Sequence, residues 1–151
     1  MSDDLTELYQ QLLMDHSKSP RNFRVLPDAN CTAQGTNPIC GDNYIIYARM
    51  DGDVVQELTF QGSGCAISKA SASLLTESLK GKTKAEVKVM FDKVRNLITT
   101  GQSDGDLGKL SALAGVHRFP VRIKCAILPW HAVAAAVEGR GETVSTESEK
   151  E

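Results

Sequence analysis

The sequence lacks several things, and each absence removes a class of function. Nowhere in its 151 residues does an apolar run approach the length of a membrane-spanning helix. The opening Met1-Ser2-Asp3-Asp4 has neither the basic nor the apolar block of a secretory signal. A formal net charge of −2 provides no basic footprint for nucleic acid. There is no internal repeat. There is also no Cys-x-x-Cys pair, which excludes zinc-finger and zinc-ribbon knuckles. The expectation is a cytoplasmic chain with no nucleic-acid and no membrane partner. In that compartment thiols stay reduced, and cysteines bind metal or react more often than they form disulfides.

What remains is ordinary for one globular domain: 41% hydrophobic residues, 24% charged, and enough length for an independent core. The domain is expected over residues 1–139. Residues 140–151 are charged and rich in Thr, Ser and Glu, which predicts a flexible tail.

Leu5, Leu8, Tyr9, Leu12 and Leu13 form one helical stripe that should end near His16, because Ser19-Pro20 disfavours continuation. Residues 17–36 read mostly as loop, with a short strand around Asn30–Ala33. The β-formers of 43–50 and the run 54–60 flank Asp51-Gly52-Asp53, a hairpin turn. Val54, Leu58 and Phe60 are expected on one face of the second run, interrupted by Gln56. Ala66 to Lys80 reads as helix. Thr83-Lys84-Ala85-Glu86 is a capping box that starts another, with Val87, Met90, Phe91, Val94, Leu97 and Ile98 inward. Residues 107–116 are weakly helical. A last helix runs from Pro120, at a favoured first position, to near Gly139.

The chemistry lies in the cysteines. Asn37-Pro38-Ile39-Cys40-Gly41-Asp42 puts a thiol and a carboxylate two residues apart, just before the first strand of the hairpin. Gly62-Ser63-Gly64-Cys65 follows the second strand. A hairpin returns its outer ends to one place, so strand pairing alone gathers Cys40, Asp42 and Cys65. Cys125 follows Arg122-Ile123-Lys124 near the start of the last helix. Three thiolates and one carboxylate suit four-coordinate Zn²⁺. Such a site is over-charged, and Arg122, Lys124 and two helix N-termini offset the excess. These features also favour a nucleophilic thiolate.

The bland alternative stands beside this one. A lone cysteine is most often a small buried hydrophobe, and Arg122 and Lys124 read equally well as solvated side chains. Cys31 has neither a glycine nor an acid beside it and receives no role. His16 either packs at its helix end or lines the site; His117 and His131 read as packing or surface residues.

Asn-Pro-x-Cys-Gly-Asp at 37–42, Gly-x-Gly-Cys-x-Ile-Ser at 62–68 followed by Ala70-Ser71-Ala72-Ser73, and Arg-x-Lys-Cys-Ala at 122–126 resemble the SufU branch of the IscU/NifU-N-terminal-like iron–sulfur assembly proteins. The likeness spans roughly residues 5–138. It implies an α+β fold, a small antiparallel sheet of about three strands with helices packed on one side. It also implies Cys40, Asp42, Cys65 and Cys125 as metal ligands, with Zn²⁺ as the cofactor and iron or a [2Fe–2S] cluster as the alternative. Two features separate the chain from the IscU branch: Lys124, where that branch has histidine, and an additional helical segment within 82–118. Both look like SufU. The resemblance therefore implies a zinc-dependent sulfur acceptor, a sulfurtransferase working with a PLP-dependent cysteine desulfurase and a downstream iron–sulfur scaffold. Cys40 is the expected sulfur acceptor, and Arg122 and Lys124 offset the site's charge or contact the partner. A scaffold that builds a transient [2Fe–2S] cluster on the same ligands is the alternative.

Overall fold

The structure, a computed structural model, describes residues 2–38, 41–103, 105, 107–139 and 143–145, with backbone alone at 2–6 and 143–145. The architecture is α+β. Strands β1 (Cys31–Asn37), β2 (Asp42–Asp51) and β3 (Val54–Ser63) form an antiparallel meander. Helices α1 (Ser2–Lys18), α2 (Ala66–Leu79), α3 (Lys84–Thr100) and α4 (Pro120–Val137) pack alongside it. A run of 3₁₀ turns, Gly108–Arg118, joins α3 to α4.

Strand β2 alternates strictly, with Asp42, Tyr44, Ile46 and Ala48 buried and the residues between them more open. Strand β3 departs from the expected face. Val55 is buried and Val54 is exposed, because Arg49 pairs with Glu57 and Met50 with Val55, leaving Gln56 as an extra residue. A β-bulge of this kind shifts the alternation by one. Strand β1 runs on to Asn37, further than expected. Its inward residues are Ala33, Gly35 and Asn37, which carry no hydrophobic signal. Small residues are needed there because α4 lies directly above. A Cβ on Gly35 would come within 3.2 Å of Leu128.

The sheet's edges are covered. Asn22 and Phe23 pair along β3 at Phe60, and Lys82 and Thr83 do so at Val54 and Val55. Within the span expected as a flexible tail, Thr143–Ser145 form a short strand, β4, parallel to β1 on its outer edge. The rest of 140–151 lies outside the described residues. Covering edges in this way removes free backbone groups that would recruit another chain.

Helix α2 is buried nearly all round and is stitched to its neighbours by hydroxyls. Ser71 donates to the Ala126 carbonyl at 2.7 Å and accepts the Trp130 indole N–H at 3.1 Å. Ser73 accepts the Arg21 N–H at 2.8 Å and meets His16 Nδ1 at 2.6 Å. His16 is thus a buried packing residue that ties α1 to α2. Helix α3 is instead amphipathic and opens with the expected capping box. Val87, Val94, Leu97 and Ile98 are buried along it. Burial of each such large side chain contributes about 1.5–3 kcal/mol. On α1 the stripe is only partly used: Leu13 packs on the core, while Leu8 is exposed.

Candidate metal centre

Three elements deliver the site. Asp42 opens β2, Cys65 stands at the N-cap position of α2, and Cys125 lies in the second turn of α4. The hairpin brings the first two together as expected. The Ser71–Ala126–Trp130 bonds then fix α4 against α2, and so bring up Cys125 one residue before Ala126. One carboxylate oxygen of Asp42 and the sulfurs of Cys65 and Cys125 all lie within 4.8 Å of one another. Cys40, the remaining expected ligand and sulfur acceptor, lies outside the described residues.

Each donor is held by its surroundings. Asp42 is 2% exposed. Its Oδ1 accepts the Cys65 backbone N–H at 2.8 Å, and its Oδ2 accepts the Asn37 amide at 3.4 Å. The same Asn37 nitrogen lies 3.5 Å from Cys125 Sγ and donates to it. Cys125 is fully buried and, as a thiol, points its S–H at the Val121 carbonyl, 3.7 Å away. Cys65 is half-buried, with its thiol 3.7 Å from Ser68 Oγ. Ser68 gives its own hydrogen to the Cys65 carbonyl at 3.0 Å and contacts the Tyr44 hydroxyl at 2.8 Å. Burial raises the Tyr44 phenol well above its usual range, and Asp42, Cys65 and Cys125 reinforce the shift. The ring therefore stays a neutral donor. Gly64 leaves the space that this network occupies. A Cβ there would collide with Asp42 Oδ1 and sit 2.7 Å from both Ser68 Oγ and Tyr44 Oη.

Arg122 is exposed but faces the two sulfurs. The charges of Cys65 first, and then of Cys125, hold its guanidinium above its ordinary pKa. It lies three residues before Cys125 on α4, so the two share a helix face. Lys124 is exposed. Its position is rotated about 100° round the helix from that of Cys125. Cys31 lies at the start of β1, half-buried against the core, on the strand's far end from Asn37.

Sequence reasoning passed over Asn37, Tyr44 and Ser68. A signal existed for two of them. Tyr44 shares the inward face with Asp42 by the two-residue period of a strand, and Ser68 is one helical turn beyond Cys65.

The donor set fits a zinc ion. Thiolate sulfur and carboxylate oxygen are its usual ligands, and a cation stands ready against the surplus negative charge. Small antiparallel sheet, packed helices and an Asp–Cys–Cys cluster together define an α+β domain with a candidate metal site. The family model described as NifU-like N terminal domain matches residues 8–139, and the chain belongs to that family. It is 42% identical over 137 residues to the zinc-dependent sulfurtransferase SufU of Bacillus subtilis strain 168, covering 89% of this chain and 92% of that one. It is 36% identical over 136 residues to the iron–sulfur cluster assembly scaffold protein IscU of Streptococcus pyogenes serotype M1, covering 89% and 85%. A crystal structure of a candidate SUF-system scaffold from Fervidobacterium islandicum AW-1 superposes with a TM-score of 0.81 at 33% identity, over 87% of this chain and 97% of that one. Among the described residues no helix is long and apolar enough to cross a membrane.

Proposed function

We propose that the chain is a zinc-dependent sulfurtransferase that accepts persulfide sulfur from a PLP-dependent cysteine desulfurase and passes it toward iron–sulfur cluster assembly. The observation that carries this reading is the convergence of Asp42, Cys65 and Cys125 from three distant elements, with ligand atoms within 4.8 Å of one another. The 42% identity to a named zinc-dependent sulfurtransferase supports it. Cys40, Asp42, Cys65 and Cys125 would hold the ion. Zinc, when bound, keeps thiols deprotonated and shielded from oxidation.

The transfer itself is thiol–disulfide exchange. An acceptor thiolate, assigned here to Cys40, attacks the terminal sulfur of the donor persulfide. A new S–S bond forms on the acceptor, the donor's S–S bond breaks, and the donor leaves as a thiolate. No outside oxidant is required. Arg122, beside Cys65 and Cys125, offsets the negative charge of the thiolates. Lys124, exposed on the same helix, is assigned to partner contact. A reducing cytoplasm suits thiol chemistry of this kind.

Mass spectrometry after mixing with a cysteine desulfurase and cysteine tests the proposal. One added sulfur on a cysteine of the set, Cys40 first, is expected. A desulfurase that runs no faster with the protein, together with no added sulfur, would sink it. The second reading, a scaffold for a transient [2Fe–2S] cluster with a downstream acceptor, is supported by the 36% identity to a named scaffold. Lys124 weighs against it, because an ammonium cannot replace an imidazole as ligand. Protein isolated without added iron should carry about one zinc per chain if transfer is right. A coloured, oxygen-sensitive product would favour the scaffold.

A further inference from the structure

The three described donors are not equivalent, and Asn37 makes the difference. It is the last residue of β1, opposite Asp42 in the β1–β2 register, and its carbonyl accepts the Gly41 N–H at 2.8 Å. The backbone is therefore pinned on both sides of the site. Its side chain is 1% exposed. An amide NH₂ has two hydrogens, and here its nitrogen is placed to aim one at Asp42 Oδ2 (3.4 Å) and the other at Cys125 Sγ (3.5 Å). Turning the amide over would set its oxygen against a carboxylate oxygen and a thiolate, so the charges of the site fix its orientation. Asp42 is then held at both oxygens, since Oδ1 takes the Cys65 N–H.

Cys65 is treated differently. Its sulfur lies 3.7 Å from Ser68 Oγ, a hydroxyl shared with the Cys65 carbonyl at 3.0 Å and the Tyr44 hydroxyl at 2.8 Å. The exposed Arg122 faces both sulfurs, so the buried Asn37 amide on Cys125 is what sets the two apart, with Cys65 the more open of them.

We propose that Asn37 is a positioning residue: by binding Asp42 and Cys125 together it makes them the stationary ligands, and leaves Cys65 as the described sulfur open to exchange. The proposal rests on the reading that these side chains hold a metal ion. It extends that reading by dividing the ligands into a fixed pair and an exchangeable remainder. An N–H donated to a bound thiolate withdraws charge from sulfur and blunts its nucleophilicity, while orienting it. Outer partners of this kind typically change metal affinity about 10- to 100-fold when removed.

The test uses the full chain, its Asn37→Ala form and its Asn37→Ser form, which keeps a short donor. Three readouts are taken: zinc lost to a chromophoric chelator, the sulfur-to-metal absorption of the Co²⁺-loaded protein, and iodoacetamide labelling of each cysteine located by mass spectrometry. In the parent, Cys65 should label before Cys125. In Asn37→Ala, zinc affinity should fall about 10- to 100-fold. The cobalt band should shift, and Cys125 should lose its protection. Asn37→Ser should recover part of all three. Unchanged affinity and cobalt spectrum in folded Asn37→Ala would overturn the proposal. So would failure of both variants to fold, since Asn37 would then be a folding residue. None of these readouts uses a desulfurase. A parent that binds metal but accepts no sulfur would therefore count against the transfer reading and leave this comparison standing.

Discussion

The β2–β3 hairpin has a turn end and an open end, and the two hold their polar groups in opposite ways. At the turn end the charged groups pair near the surface, Glu57 being the most sheltered of them. Arg49 meets Asp28 at 2.6 Å, Arg24 meets Glu57 at 2.6 Å, and Lys80 reaches the same glutamate at 3.2 Å. At the open end Asn37, Asp42 and Cys125 are almost wholly buried and bonded to one another. Exposed ion pairs contribute only about 0–1 kcal/mol. A buried donor that loses its partner costs about 1–3 kcal/mol. Stability alone would favour an apolar filling at the open end. On the proposed reading, the buried polar cluster there is explained by what it gathers, atoms able to hold a metal, rather than by what it adds to folding.

The sharpest way to break this contrast is to remove the carboxylate. Asp42→Ala removes one acceptor of the Asn37 amide and the side-chain acceptor of the Cys65 N–H, each at about 1–3 kcal/mol. It should be the most destabilising of these changes. It should also loosen zinc without abolishing sulfur acceptance, because the thiols remain. Zinc held as tightly as in the parent would mean that Asp42 is not a ligand. Next comes Gly64→Ala, which pushes a methyl into Asp42, Ser68 and Tyr44. Overpacking of this kind costs about 1–3 kcal/mol, read as a lower urea midpoint. It should also speed zinc loss to a chelator; normal retention would mean that the network tolerates the methyl.

A third test lies away from both ends. His16 has its pKa lowered, mainly by burial, with Arg21 adding to the effect. The folded chain therefore binds fewer protons there than the unfolded chain does. That contribution to stability is complete above the ordinary histidine value of 6.5 and declines as pH falls below it toward the lowered value. Urea midpoints measured from neutral to mildly acid pH should show this slope, and His16→Gln should flatten it. An unchanged slope in the variant would assign the acid sensitivity to other groups. The smallest effect belongs to the turn end. Asp28→Ala should change stability by no more than about 1 kcal/mol and leave zinc retention untouched. A larger loss would erase the distinction between the two ends.

Much of this was legible in one dimension. The 3.6-residue periodicity of 84–98, the Thr83–Glu86 box and the hairpin turn located α3 and the β2–β3 pair, because local hydrogen bonding and residue spacing act within a few residues. Hairpin closure foretold that Asp42 and Cys65 would meet. Strand β1 was underestimated because its inward positions are Ala33, Gly35 and Asn37, chosen to admit α4 rather than to be hydrophobic. The Val54-to-Val55 switch was hidden because a bulge at Gln56 is a property of two paired strands.

The chain itself determined which chemical groups exist and which neighbours each brings: three motif cysteines, an aspartate two residues from one of them, and the arginine one helical turn before another. Only the folded arrangement decided how they differ. Asn37 touches Cys125 across a sequence separation of 88. That contact depends on α4 crossing a strand of small residues, and no local periodicity encodes such a crossing. Burial then turns an ordinary amide into the group that distinguishes one sulfur from another.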